Sequence, residues 1–124
     1  PRLAWLAAER ATDAEIARLA ECAEASAAGV GDDDAFMRAD LELHGIIAAA
    51  ARNAILARVV GSLAGLGVAS RMATTHLAGM QEQVVRDHRR IAEAIAARDA
   101  EAAGAAMLAH LEDVERRRLA ARDG

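Results

Sequence analysis

A chain of 124 residues is the size of one domain and can bury a core without disulfide staples. With 19 acidic against 15 basic side chains and a net charge of −4, it has no basic surface of the kind that holds DNA electrostatically. Its single cysteine, Cys22, excludes an internal disulfide and fits a reducing, cytoplasmic setting; no strongly apolar run of roughly 18 residues and no signal peptide is visible.

The apolar fraction of 54% contains almost no aromatic residues, only 2%, and is dominated by alanine and leucine. Alanine is the best helix former, and the only proline is Pro1, so no helix interior is interrupted. Pro1 to Arg10 reads as the last turns of a helix. Thr12-Asp13-Ala14-Glu15 carries a capping signal, and the helix it opens places Ile16, Leu19, Ala20 and Ala23 on one face before ending near Gly29-Val30-Gly31. Asp32-Asp33-Asp34 sets three acids at the positive end of a third helix, which continues to about Arg52. Asn53 caps a fourth, from Ala54 to about Leu77. Gly79 separates that from a fifth, Gln81 to Ala97, and Asp99 caps the last, which runs to about Arg122. No segment alternates with period two, so the fold class is all-α, a helical bundle joined by short turns. The stretch from Ala54 to Leu77 is apolar nearly all round, with Arg58 and Arg71 its only charges. Such a helix is either central or part of a subunit contact, and a homodimer is expected. Arg116-Arg117-Arg118 lies among Glu112, Asp113, Glu115 and Asp123 and reads as a solvated face.

The informative residues are polar ones on apolar stripes. Asp40 and His44 share the stripe of Phe36, Leu43 and Ile47. His88 interrupts Val84, Ile91 and Ile95, and His110 interrupts Ala103, Met107, Leu111 and Val114. A lone inward histidine is ordinarily a hydrogen-bonded core residue, and an Asp–His pair one turn apart can satisfy itself. One aspartate and three histidines converging from three helices are better explained by a divalent ion, which removes the cost of burying the carboxylate. Imidazole and carboxylate suit zinc first, with nickel, manganese and iron as alternatives. His76 stands apart, near a helix end.

These stretches also resemble a known family. Asp40-Leu41-Glu42-Leu43-His44, followed by Ile46-Ile47, Ala51 and Asn53, is similar to the D-x3-H…N core of the FCD domain, the effector domain of GntR-family transcriptional regulators. Asp87 to Ile95 resembles its E-H-x-x-I-x-x-A-I helix. Ala102, Met107, Ala109, His110 and Leu111 resemble its final helix, and Leu6 to Thr12 the end of its first. The chain departs from the family at Leu43, Arg52 and Asp87, where phenylalanine, glycine and glutamate are common; none of the three is expected to touch a ligand.

The resemblance implies an antiparallel bundle of six to seven helices over residues 1–124, with the chain beginning inside the first helix. It implies a metal held by Asp40, His44, His88 and His110, and a small organic acid as effector. It also implies that DNA is reached only through an N-terminal winged helix-turn-helix that is absent from this sequence. In that reading the carboxylate effector takes open metal positions and Arg71 holds its far end, with Ser70, Thr74 and Thr75 nearby; the chain is not an enzyme. The rival readings are a metal-dependent hydrolase-like bundle and a metal-free dimerisation bundle.

Overall fold

The computed structural model describes residues 1–62 and 75–123. Among these residues there are six helices and no strand: α1 (Arg2–Arg10), α2 (Asp13–Ala28), α3 (Asp33–Ala50), α4 (Ala54–Ser62), α5 (Met80–Ala96) and α6 (Ala100–Asp123). Four of these six helices start on a side-chain cap. Thr12 and Glu15 form a complete capping box: Thr12 Oγ1 accepts from the Glu15 N–H at 3.1 Å, and Glu15 Oε1 accepts from the Thr12 N–H at 2.9 Å. Asp32 accepts from the Ala35 N–H, Asn53 from that of Leu56 and Asp99 from that of Ala102.

Short links make α2 and α3, and likewise α5 and α6, closely packed neighbours. The α2–α3 link is tight at Gly29, where a Cβ would lie 2.9 Å from the Phe36 backbone nitrogen. Only glycine lets α3 begin that close to the end of α2. α2 packs on both α3 and α5, and α6 on α5 and α1. The core is therefore five-sided, and among the described residues α4 packs chiefly on α3.

Two apolar clusters fill it. The larger gathers Ala4, Ala7 and Ala8 of α1, Leu19, Cys22 and Ala23 of α2, Leu43 and Ile47 of α3, Ile91 and Ile95 of α5, and Ala103 and Met107 of α6. Burial pushes the Cys22 thiol pKa up, as suits a small packed side chain rather than a nucleophile. The smaller holds Phe36, Met80, Val84 and Val85 with Leu77 and Val114 against them. Asp40 falls between Phe36 and Leu43, His88 between Val84 and Ile91, and His110 between Met107 and Val114. The polar residues thus form a layer separating the two clusters.

The structure corrects three expectations. The fourth helix does not reach Leu77: α4 is described to Ser62, and Thr75 to Gly79 form turns. The cause is local. Gly79 takes a left-handed φ of 74°, and the Gln81 amide draws off the Thr75 carbonyl, donating to it at 3.1 Å. Gln81 also donates to Asp33 Oδ1 at 2.7 Å and accepts from the Gly31 N–H at 2.9 Å, tying the start of α5 to the α2–α3 turn. Ala20 and Leu111, expected inward, are exposed; Cys22 and Ser26 complete the buried stripe of α2 instead. His76 is exposed in the turn, as expected. Ser70, Arg71 and Thr74 lie outside the described residues. Among the described residues no helix is long and apolar enough to cross a membrane.

Candidate metal centre

Asp40, His44, His88 and His110 do converge. Each offers one donor atom, and these atoms all lie within 4.8 Å of one another. Asp40 and His44 come from adjacent turns of α3, His88 from the middle of α5 and His110 from the middle of α6. The helical period does the placing: residues four apart stack on one face, so Asp40 and His44 reach the same space. His88 is fully buried, Asp40 and His110 are nearly so, and His44 is partly exposed. The ring centroids form an almost equilateral triangle, with separations of 5.7, 5.6 and 5.6 Å.

Asp40 Oδ1 is the hub. It lies 2.9 Å from His88 Nε2 and 3.2 Å from His44 Nε2. Burial opposes ionisation of this carboxyl. The hydrogen bonds of His44 and His88 and the attraction of their rings outweigh that opposition and hold it well below the usual carboxylate range. The centre therefore keeps a full negative charge facing imidazole nitrogens.

The outer edges of two rings are also held. His88 Nδ1 lies 2.9 Å from the hydroxyl of Ser26, itself fully buried on α2. His110 Nδ1 donates to Asp87 Oδ2 at 2.9 Å. The other oxygen of Asp87 accepts from Gln83 Nε2 at 2.9 Å, and Gln83 Oε1 accepts from Arg86 at 2.7 Å. Burial works against the Asp87 charge too, but His110 and Gln83 bring its pKa below the ordinary value. Asp87 thus touches a candidate ligand, contrary to the expectation for that departure. The reason is that residue 87 lies one turn from both Val84 and Ile91 on the inward face of α5.

This donor set fits a divalent transition metal. Two donors each about 2.1 Å from one ion lie about 3.0 Å apart at right angles and about 3.4 Å apart in a tetrahedron, and the two short separations above are of that order. Outer nitrogens tied to a carboxylate and a hydroxyl are the usual support of metal-binding histidines. Neither Ser26 nor Asp87 was singled out from sequence. Both left a signal there, a hydroxyl on the apolar stripe of α2 and an acid on that of α5.

The sequence profile of the FCD domain matches residues 1–113. The chain is 32% identical over 110 residues to the HTH-type transcriptional repressor NanR of Citrobacter rodentium (strain ICC168), covering 87% of this chain and 42% of that protein. It is 29% identical over 118 residues to the HTH-type transcriptional regulator LutR of Bacillus subtilis (strain 168), covering 91% of this chain and 54% of that protein. The chain thus spans about half the length of the curated relatives it matches.

Proposed function

The chain belongs to the FCD domain family, and from that premise we propose that it is the metal-dependent sensing domain of a GntR-family transcription regulator. The observation that carries this reading is the layer of Asp40, His44, His88 and His110, whose donor atoms share one small volume between two apolar clusters. In this reading the four side chains hold one divalent ion per chain, zinc first, with nickel, manganese or iron as alternatives. When bound, the ion supplies a Lewis-acidic anchor for the carboxylate of a small organic acid.

The protein's own residues do the rest. Asp40 offsets the charge of the ion, and the three imidazoles fix it between α3, α5 and α6. The effector bridges these helices and favours one arrangement of the bundle over another. Allosteric coupling of this kind is typically worth about 1–3 kcal/mol. Arg71 is proposed to hold the far end of the acid. Ile55 and Val59 of α4 are exposed and suit a subunit contact, so a homodimer is part of the proposal. DNA would be bound through an N-terminal helix-turn-helix segment, in keeping with the HTH-type names of both relatives, and the regulator would act in the cytoplasm without catalysing a reaction.

The test is metal analysis followed by thermal shift. Protein purified without chelators is expected to carry about one divalent metal per chain. Mono-, di- and tricarboxylates and sugar acids are then screened with and without metal. A hundredfold excess of a true effector over its dissociation constant adds about 2.7 kcal/mol of stability. A metal content near zero, with no stabilisation by added zinc, nickel or manganese, removes the metal reading. An acid that stabilises the metal-stripped protein equally removes the coordination mechanism. Light scattering that reports a monomer at micromolar concentration removes the homodimer.

A further inference from the structure

The two supported histidines of the centre are not supported alike. His110 Nδ1 faces Asp87, a carboxylate, which only accepts. The Arg86–Gln83–Asp87 chain engages the other oxygen of that carboxylate. Arg86 occupies the Gln83 oxygen, so the Gln83 amide must point its N–H at Asp87. In its neutral form His110 therefore keeps its proton on Nδ1 and turns the Nε2 lone pair inward, with or without an ion.

His88 Nδ1 instead faces the hydroxyl of Ser26, which can donate or accept. Ser26 Oγ is placed between two acceptors, 3.0 Å from the Cys22 carbonyl and 2.9 Å from His88 Nδ1. Its single proton can serve either one. On the inner side, His88 Nε2 is 2.9 Å from Asp40 Oδ1. A carboxylate oxygen and a bare ring nitrogen at that distance repel, so without a cation Nε2 must carry the proton. With a cation, Nε2 must release it to become a ligand.

We propose that Ser26 is a positioning residue that lets His88 exchange tautomers when an ion enters, whereas Asp87 holds His110 permanently in the ligand form. In the metal-free state Ser26 donates to His88 Nδ1, and His88 Nε2–H donates to Asp40. In the metal-bound state the hydroxyl turns to the Cys22 carbonyl and accepts from His88 Nδ1–H. His88 carries one proton in both states, exchanged through water, so its own buried ring changes partner without changing charge. The inference rests on the metal reading above. It deepens that reading by dividing the histidines into a preset ligand and an adaptive one.

The test is a two-bond 1H–15N spectrum of 15N-histidine-labelled protein at pH 8, metal-stripped and then loaded with zinc, with rings assigned by single His→Gln variants. The expected result is His110 protonated on Nδ1 in both samples, and His88 protonated on Nε2 when stripped and on Nδ1 with zinc. If zinc moves the His44, His88 and His110 signals but His88 keeps the same protonated nitrogen, the tautomer exchange is overturned and the metal site stands. A doubly protonated His88 in the stripped sample overturns it equally, because Ser26 would then accept in both states. If zinc moves none of the three rings, both readings fall. Ser26→Ala, a small change that keeps the α2 stripe apolar, should lower zinc affinity by about 10–100-fold, the usual cost of removing such a support. Unchanged affinity in that variant denies Ser26 its role.

Discussion

Two polar regions of this molecule are built from the same few residue types and behave as opposites. At one corner, where α1 ends, α2 begins and α3 ends, arginines reach across to backbone carbonyls. Arg10 donates to the Ala51 carbonyl at 2.9 Å, and Arg52 to those of Arg10 and Ala50 at 2.9 and 3.0 Å. Arg52 also pairs with Glu15 at 2.8 Å, and Arg98 donates to the Ala11 carbonyl. These contacts satisfy orphan carbonyls at helix ends that water would otherwise reach, so each is worth little. In the centre, side chains meet side chains from distant helices, and a buried carboxylate needs partners to exist there at all. The corner ties helix ends together at the surface, whereas the centre ties the middles of α3, α5 and α6 through a carboxylate that His44 and His88 keep ionised.

The largest expected effect separates the centre from the surface. His88→Ala removes a proposed ligand and should weaken zinc binding by more than the roughly 10–100-fold that loss of a supporting residue costs. His76→Ala, at an exposed turn, should leave it unchanged. Competition against a chromogenic chelator measures both, and equal losses would show that the ligands are misassigned. The next effect is stability. Zinc at a hundredfold excess over its dissociation constant should add about 2.7 kcal/mol to the parent protein, seen as a raised Tm. Asp40→Ala should abolish most of that gain, and Arg52→Ala should leave it whole. A gain that Arg52→Ala also removes would mean that the two regions are not independent.

That independence bears on what was legible in the sequence. The caps at Thr12, Asp32, Asn53 and Asp99 are local, each a side chain meeting a nitrogen three residues on; Asn53 and Asp99 could be read directly, and the other two only to within the Thr12-Asp13 pair and the Asp32-Asp33-Asp34 run. Asp40, His44, His88 and His110 were legible for a related reason: helical period fixes which face each occupies, and apolar faces must meet. Ser26 and Asp87 satisfy the same period, but they look like tolerable boundary residues until the partner helix is in place. The end of the fourth helix was not legible, because the device that turns the chain is Gln81 reaching six residues back to the Thr75 carbonyl. Arg52 looked like a departure from a family glycine. The structure gives the reason for the glycine: residue 52 has a left-handed φ of 50°.

Arg52 therefore supports a sharper prediction within the corner. A non-glycine residue in the left-handed region costs about 1 kcal/mol, and the Arg52 guanidinium offsets that through its bonds to Arg10, Ala50 and Glu15. Arg52→Ala keeps the backbone cost and loses the bonds, and should destabilise by about 1 kcal/mol. Arg52→Gly loses both together and should fall close to the parent. Urea unfolding of the metal-stripped proteins distinguishes them. Equal losses for the two variants would show that the left-handed backbone carries no cost here.

The smallest expected effect is the pH dependence of the same corner. The Glu15 carboxyl is held below its usual pKa, first by the Thr12 backbone N–H and then by Arg52, against a smaller opposing effect of burial. A depressed folded value means that ionised Glu15 stabilises the fold. That contribution is complete above the unfolded value of about 4.3. It is lost as pH falls through the folded value and is absent below both. Arg52 is about half exposed, so solvent screens its share and the effect is modest. Glu15→Gln keeps an oxygen for the Thr12 N–H but gives up the charge. The Tm gap between parent and variant, both metal-stripped so that ligand protonation does not intrude, should be open at pH 7 and close in acid below about pH 4.3. Salt at 1 M should narrow the gap at pH 7 by screening Arg52, with a Debye length of about 3 Å. A gap that is the same at every pH would mean that Glu15 acts through shape and hydrogen bonding alone, and that the corner, unlike the centre, draws nothing from charge.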